Sequence, residues 1–310
     1  MIDPSSAKPP KSALFWRLTL SAVIIPALIG LFVADHYLGP RAWLLLGLTL
    51  FLAARCAWEM CELLRVRNIA VWSPAAIACN VGVVLSAWYL PLATGQPVFP
   101  CGLVLAPILL GFATAVLALF LVEAARFREQ GRSMESLSGG ILIVSYVGLL
   151  LAMTAQLRWV AGADAGYLVL ASMVIATKFG DIGAYTLGRL FGKRKMAPRL
   201  SPGKTWMGGL GALLFSALAG WAWLQFATPL FNADWQPPAW YLSVFYGAAM
   251  GVAGLLGDLC ESLIKRDVGK KDSAQLMPGF GGLLDLLDSV LFAGPVAYLL
   301  WITLPLAMWQ

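Results

Sequence analysis

The chain has 310 residues, 60% of them hydrophobic and 12% charged, about half the charged share of an ordinary soluble domain, and its mean hydropathy is +0.78. This excludes a protein whose whole surface faces water. It predicts an all-α polytopic membrane protein, because a helix satisfies its own backbone in hydrocarbon. The net charge of +6 calls for no nucleic-acid partner, since the basic residues fall where membrane topology places them and suit anionic lipid headgroups.

Residues 1–13, with Pro4, Pro9 and Pro10 among Ser and Lys, read as a disordered cytoplasmic tail. A helix needs roughly 20 apolar residues to cross a bilayer. Such stretches lie near 14–34, 41–63, 70–92, 101–124, 137–156, 166–188, 206–228, 240–263 and 283–305, and the sixth and eighth carry charges. About nine transmembrane helices are therefore expected. Lys8, Lys11 and Arg17 precede the first stretch as in a signal peptide, but no small-residue cleavage site leads into a soluble domain, so it reads as a retained span. With the N-terminus cytoplasmic, 18 of the 22 basic residues fall in inside segments and only Arg41 and Arg158 outside, as the positive-inside rule requires. Nine spans then put the C-terminus outside. Residues 14–165 read as scaffold, and 166–310, where charges and glycines crowd the cytoplasmic loops, as the catalytic region. The five cysteines form no CxxC pair, mostly sit in apolar spans and are given no metal or redox role. The single histidine, His36, falls in an outside loop.

In the sixth span Lys178, Asp181 and Tyr185 share one helical face. Ionisable groups in a span are costly and point to a water-filled cavity, although Lys178 and Asp181 could equally neutralise each other. The following loop ends in Ser201-Pro202-Gly203-Lys204-Thr205, where turn N–H groups and a lysine could cradle phosphate. It is no Walker motif, because Pro198 stands where that pattern needs glycine. At the end of the eighth span Asp258, Glu261, Ser262 and Lys265 again share one face, followed by Arg266, Lys270, Lys271 and Asp272, then by Asp285 and Asp288 at the start of the ninth. Carboxylates from two helices, with no histidine or cysteine, suit a hard cation such as Mg²⁺, which usually takes one or two carboxylates plus substrate phosphates. A nucleotide is the natural ligand. Simple pairing with Lys265, Arg266 and Lys270 is the alternative, disfavoured by the cost of placing so many charges at a membrane boundary.

Over about residues 177–290 the chain resembles the phosphatidate cytidylyltransferase (CDP-diacylglycerol synthase) family. The resemblance runs in order through Asp181-Ile182-Gly183-Ala184-Tyr185, Phe191-Gly192-Lys193, Ser201 to Trp206, Gly257-Asp258-Leu259, Glu261-Ser262, Lys265-Arg266, Lys271-Asp272-Ser273, Gly281-Gly282 and Asp285 to Ser289. It implies a Mg²⁺-dependent transfer of CMP from CTP to phosphatidic acid at a multi-pass inner (plasma) membrane, giving CDP-diacylglycerol and pyrophosphate. It implies Asp258, Asp285 and Asp288 as metal ligands and catalytic residues together with Lys265. Substrates would be held by Asp181, Tyr185, Ser201, Lys204, Thr205, Ser262, Arg266, Lys271 and Asp272. The family pattern has His and Arg where this chain has Phe280 and Leu286; both changes remove a polar group, while every matched carboxylate is kept. A CTP-dependent lipid-alcohol kinase and a paralogue that only binds nucleotide or lipid stay open as alternatives, as does a homodimer. An ion-coupled transporter built from two similar halves is disfavoured by the lack of an internal repeat.

Overall fold

The computed structural model describes residues 11–95, 101–128, 130–162, 164–274, 276 and 281–306. The expected tail up to residue 10 and Phe280 lie outside the described residues. The chain is helical nearly throughout: α1 (Lys11–Leu38), α2 (Trp43–Val66), α3 (Ser73–Ser86), α4 (Tyr89–Thr94) and α5 (Cys101–Arg126) come first. Then α6 (Ser133–Ile143) runs through a π turn, Val144–Leu149, into α7 (Leu150–Ala155) and a last 3₁₀ turn. There follow α8 (Gly166–Phe191), α9 (Trp206–Phe226), α10 (Thr228–Phe231), α11 (Trp240–Asp267) and α12 (Leu283–Thr303).

Eight of the described helices are long and apolar enough to cross a membrane, and the chain is a multi-pass membrane protein. The third expected span differs. Its helix α3 has 14 residues, about 21 Å at 1.5 Å per residue, short of the roughly 30 Å hydrocarbon core. The helix tightens at its end, where the Ala87 and Trp88 N–H groups bond to Val84 and Leu85. Trp88 is fully buried, donates its indole N–H to the Arg41 carbonyl at 3.0 Å and meets Trp159 edge-on at 5.2 Å. Packing of that indole holds the break, and α4 resumes beyond it.

At the edge of the bundle, α1 turns Val23, Ile29 and Val33 outward, as a lipid-facing helix must. Its inner anchor is Asp35, fully buried, which accepts from the Leu44 N–H at 2.6 Å and from the Tyr167 hydroxyl of α8.

One departure from an all-α chain is a small antiparallel hairpin, β1 (Lys195–Ala197) with β2 (Ser201–Thr205), pairing Lys195 with Thr205 and Ala197 with Ser201. The stretch expected as a phosphate-cradling loop is thus an ordered strand leading straight into α9. Thr205 caps that helix, its hydroxyl accepting from Gly208 N–H at 3.1 Å.

Helices α8, α9 and α11 pack through small residues. Lipid gives no hydrophobic drive for helices to associate, so small residues that let backbones touch take its place. A side chain on Gly183 would collide with the Gly211 carbonyl, and one on Gly247 would come within 2.8 Å of the Ala217 Cα. Likewise Gly257 of α11 lies against the Asp288 carbonyl of α12. Gly211→Leu is expected to destabilise the protein by about 1–3 kcal/mol or more, because the neighbour in the way is backbone and cannot move aside. Thermal unfolding and the monodisperse fraction in detergent check it.

Candidate active site

The C-terminal end of α11 and the N-terminal end of α12 hold two adjoining groups of charges. The first surrounds the start of α12. Lys265 sits 2.6 Å from Glu261 Oε2 and 2.6 Å from Asp285 Oδ1. Glu261 is fully buried, and its Oε1 has no hydrogen-bond partner among the described residues, so Lys265 supplies its compensation. The other oxygen of Asp285 accepts from Gly282 N–H (2.7 Å), Ser273 N–H (2.8 Å) and the Ser273 hydroxyl (2.9 Å). Asp285 therefore caps its own helix from the third position.

Glu59 reaches the same place from α2. Its Oε1 accepts from Leu283 N–H and its Oε2 from Leu284 N–H, both at 2.9 Å. Arg55 lies 3.1 Å away, and the Ser273 hydroxyl stands 2.8 Å from Glu59 Oε2. Because that hydroxyl has one hydrogen, Glu59 and Asp285 share it. Neither Arg55 nor Glu59 entered the expected site. The available signal was an oppositely charged i, i+4 pair within an apolar span, a costly feature that defaults to function.

The second group is more open. Asp288, one turn into α12, is buried, accepts from Ser289 N–H at 2.5 Å and lies among the charges of Lys178, Asp258 and Asp181. Lys178 of α8 spans the helix interface: its Nζ is 3.2 Å from Asp181 Oδ2, 2.9 Å from the Leu286 carbonyl and 2.8 Å from the Ser289 hydroxyl. Ser289 in turn bonds Asp181 at 3.1 Å. On the far side, Lys204 of β2 holds Asp258 of α11 at 2.9 Å, and Ser262 donates to the other Asp258 oxygen at 3.4 Å. The side chains of Asp181 and Asp258 are 43% and 40% exposed, so they are accessible.

Four chain segments thus bring Asp181, Lys204, Asp258, Ser262, Lys265, Asp285 and Asp288 to one end of the bundle. Other expected residues stand apart or are engaged elsewhere. Tyr185 is exposed and its hydroxyl accepts from Arg189 at 2.6 Å. The buried Thr205 hydroxyl is taken up by its cap. Arg266 donates to the Leu200 carbonyl at 3.1 Å, pinning the hairpin turn to α11. Ser201 is half-buried in β2, and Lys271 and Asp272 are exposed in the connection to α12.

The three aspartates expected to bind metal are divided. Among the described residues, no three His, Cys, Asp or Glu side chains are gathered as a metal cage. Asp285 faces Lys265, Ser273 and Gly282, while Asp258 and Asp288 lie in the open group.

The cytidylyltransferase family model matches residues 16–304. The chain belongs to that family. It is 36% identical over 291 residues to the phosphatidate cytidylyltransferase of Pseudomonas aeruginosa, covering 92% of this chain and 96% of that protein. The Synechocystis phosphatidate cytidylyltransferase is 29% identical over 307 residues, covering 89% and 94%. That of Haemophilus influenzae is 39% identical over 130 residues, 42% of this chain and 44% of the relative, so against this protein the chain spans less than half its length.

Within this site Lys265 is the countercharge of two buried carboxylates. Lys265→Met is expected to lower stability by about 3–5 kcal/mol, because it leaves Glu261 and Asp285 without a cation. Lys265→Arg should lose less, which unfolding in detergent will measure.

Proposed function

We propose that this protein is a phosphatidate cytidylyltransferase, which transfers CMP from CTP to phosphatidic acid and releases pyrophosphate, as the names of its relatives suggest. The observation that carries this reading is the open group: three aspartates and two lysines drawn from α8, β2, α11 and α12.

The donor set fits Mg²⁺. Asp258 is accessible, Asp288 lies beside it, and both offer hard oxygen ligands, of which Mg²⁺ needs only one or two when phosphates complete its shell. These two would hold the ion, which when bound draws charge from the nucleotide phosphates. Asp285 keeps the helix in place. A phosphate oxygen of phosphatidic acid attacks the α-phosphorus of CTP; the bond from that phosphorus to the bridging oxygen breaks, and pyrophosphate leaves with the electron pair. The nucleophile is already an anion, so the protein supplies alignment and neutralisation with no general base. Lys204 exchanges Asp258 for a nucleotide phosphate, and Lys178 keeps Asp181 and Ser289 aligned beside Asp288. We assign Ser262, with Ser201 and the exposed Lys271 and Asp272, to nucleotide and headgroup contacts; Tyr185 and Arg266 would join them by leaving Arg189 and the Leu200 carbonyl. All these residues come from one chain.

The distribution of Lys and Arg supports a cytoplasmic N-terminus and an outside C-terminus in an inner membrane, with α3 and α4 together forming one of nine crossings. CTP then arrives from the cytoplasm and the lipid laterally from the bilayer. Leu286 supports a second reading, a paralogue that binds without turnover, although its backbone carbonyl still holds Lys178.

With labelled CTP, phosphatidic acid micelles and Mg²⁺, purified protein is expected to form CDP-diacylglycerol and pyrophosphate in equal amounts. Asp288→Asn should lower the rate by about 100-fold, and EDTA should abolish it until Mg²⁺ is restored. Release of CDP would indicate a lipid kinase, and CTP binding without turnover the inactive paralogue; either result overturns the proposal. Separately, alkaline phosphatase fused after Gln310 is expected to be active in cells, and an inactive fusion would reverse the orientation.

A further inference from the structure

We infer that Glu59, on the scaffold helix α2, is a positioning residue for the site, holding the first turn of α12 and through it Asp288. The inference rests on the proposed reaction for one of its readouts only.

A carboxylate within a membrane span is retained at a cost of a few kcal/mol. Glu59 is 1% exposed, so its place calls for a physical reason. Packing of α2 does not supply one, because Leu45, Ala53, Cys56, Ala57, Met60 and Leu64 already bury its apolar face. Its bonds do: both oxygens are spent on the Leu283 and Leu284 N–H groups, two of the donors that a helix start leaves without partners. Its charge also faces the positive end of the α12 dipole. The fit is close, since a side chain on Gly282 would collide with Glu59 Oε2 and the Ser273 hydroxyl.

From there the bonds continue without a gap. Glu59 shares Ser273 with Asp285, Asp285 holds Lys265, and Lys265 holds Glu261 of α11. Asp288 follows Leu284 by about one helical turn, so a shift of the first turn moves Asp288 relative to Asp258. A scaffold helix thereby sets the spacing of the two carboxylates assigned to the metal. Groups that support metal ligands from behind typically change affinity or activity 10- to 100-fold when removed.

The test compares Glu59→Gln, Glu59→Asp and Glu62→Gln in the full-length protein in detergent, by hydrogen exchange and by kinetics. Glu62 lies on the same helix but pairs with the exposed Arg65, which makes it the control. Expected for Glu59→Gln are faster exchange confined to residues 281–290, a kcat lower by about 10- to 100-fold, a raised Mg²⁺ half-saturation and a smaller change in KM for CTP. Glu59→Asp, which keeps the charge, should recover part of each effect, and Glu62→Gln should match wild type. Should Glu59→Gln fail to fold, Ser273→Ala removes only the bridging hydroxyl and is read the same way. Wild-type exchange over α12, or exchange accelerated equally in every helix, would overturn the inference. If the wild-type protein makes no CDP-diacylglycerol, the proposed reaction fails, while the exchange pattern still decides the role of Glu59.

Discussion

The start of α12 has to be satisfied inside the protein, and most of the charge arrangement follows from that. A helix begins with N–H groups that have no intrahelical partner. Here those of Gly282, Leu283 and Leu284 bond to two carboxylates, Asp285 and Glu59. Each carboxylate, out of water, then needs a cation, and Arg55 and Lys265 provide them. Lys265 is shared with Glu261, which is deeper still. Removing any one member strands a charge or a donor in a low-dielectric setting, where the cost is greatest. The start of α12 is therefore held rigidly, and Asp288 sits one turn along it.

Close helix approach does the complementary work on the other side. Gly183 against Gly211 and Gly247 against Ala217 bring α8, α9 and α11 to backbone contact. Gly254 of α11 lies against Thr177 of α8 and Ser289 of α12, and Gly257 against the Asp288 carbonyl, which brings α12 close enough for Lys178 to reach the Leu286 carbonyl and the Ser289 hydroxyl. With bulkier residues at these crossings, the lysine would be left with its Asp181 neighbour alone. The glycines thus turn a pair on one helix into a link between two.

The spans were legible because hydrocarbon imposes a length and a composition. The third was legible only as an apolar stretch: Pro91 in the first turn of α4 marked a helix start, but the burial of Trp88 that sets the break depends on partners near residues 41 and 159. The hairpin was hidden because Pro202 and Gly203 are poor strand formers and its strands are short. On α11 the i, i+3, i+4, i+7 spacing identified the polar face. Spacing along a helix does not say which neighbour that face meets, however, and only the fold separates Asp285, beside Lys265 and Ser273, from Asp258 and Asp288. A threonine just before a helix is also a capping signal, and the Thr205 hydroxyl is engaged as a cap. Glu59 lies 225 residues before Leu284, and only the fold brings them together.

The contrast between the two groups of charges bears on how the site works. In the first group every cation is bound to a buried carboxylate, and exchanging partners would strand one of them. In the second, three carboxylates face two ammonium groups, and Asp181 and Asp258 remain accessible. Each group sets three carboxylates against two cations, but only here is the excess open to a cation from outside, and Asp258, 40% exposed, is the accessible partner of the mostly buried Lys204. Under the proposed function a nucleotide phosphate would take Lys204 as a divalent ion took Asp258, which would leave neither charge alone. On that proposal the rigid group would hold the geometry while only the open group changed partners.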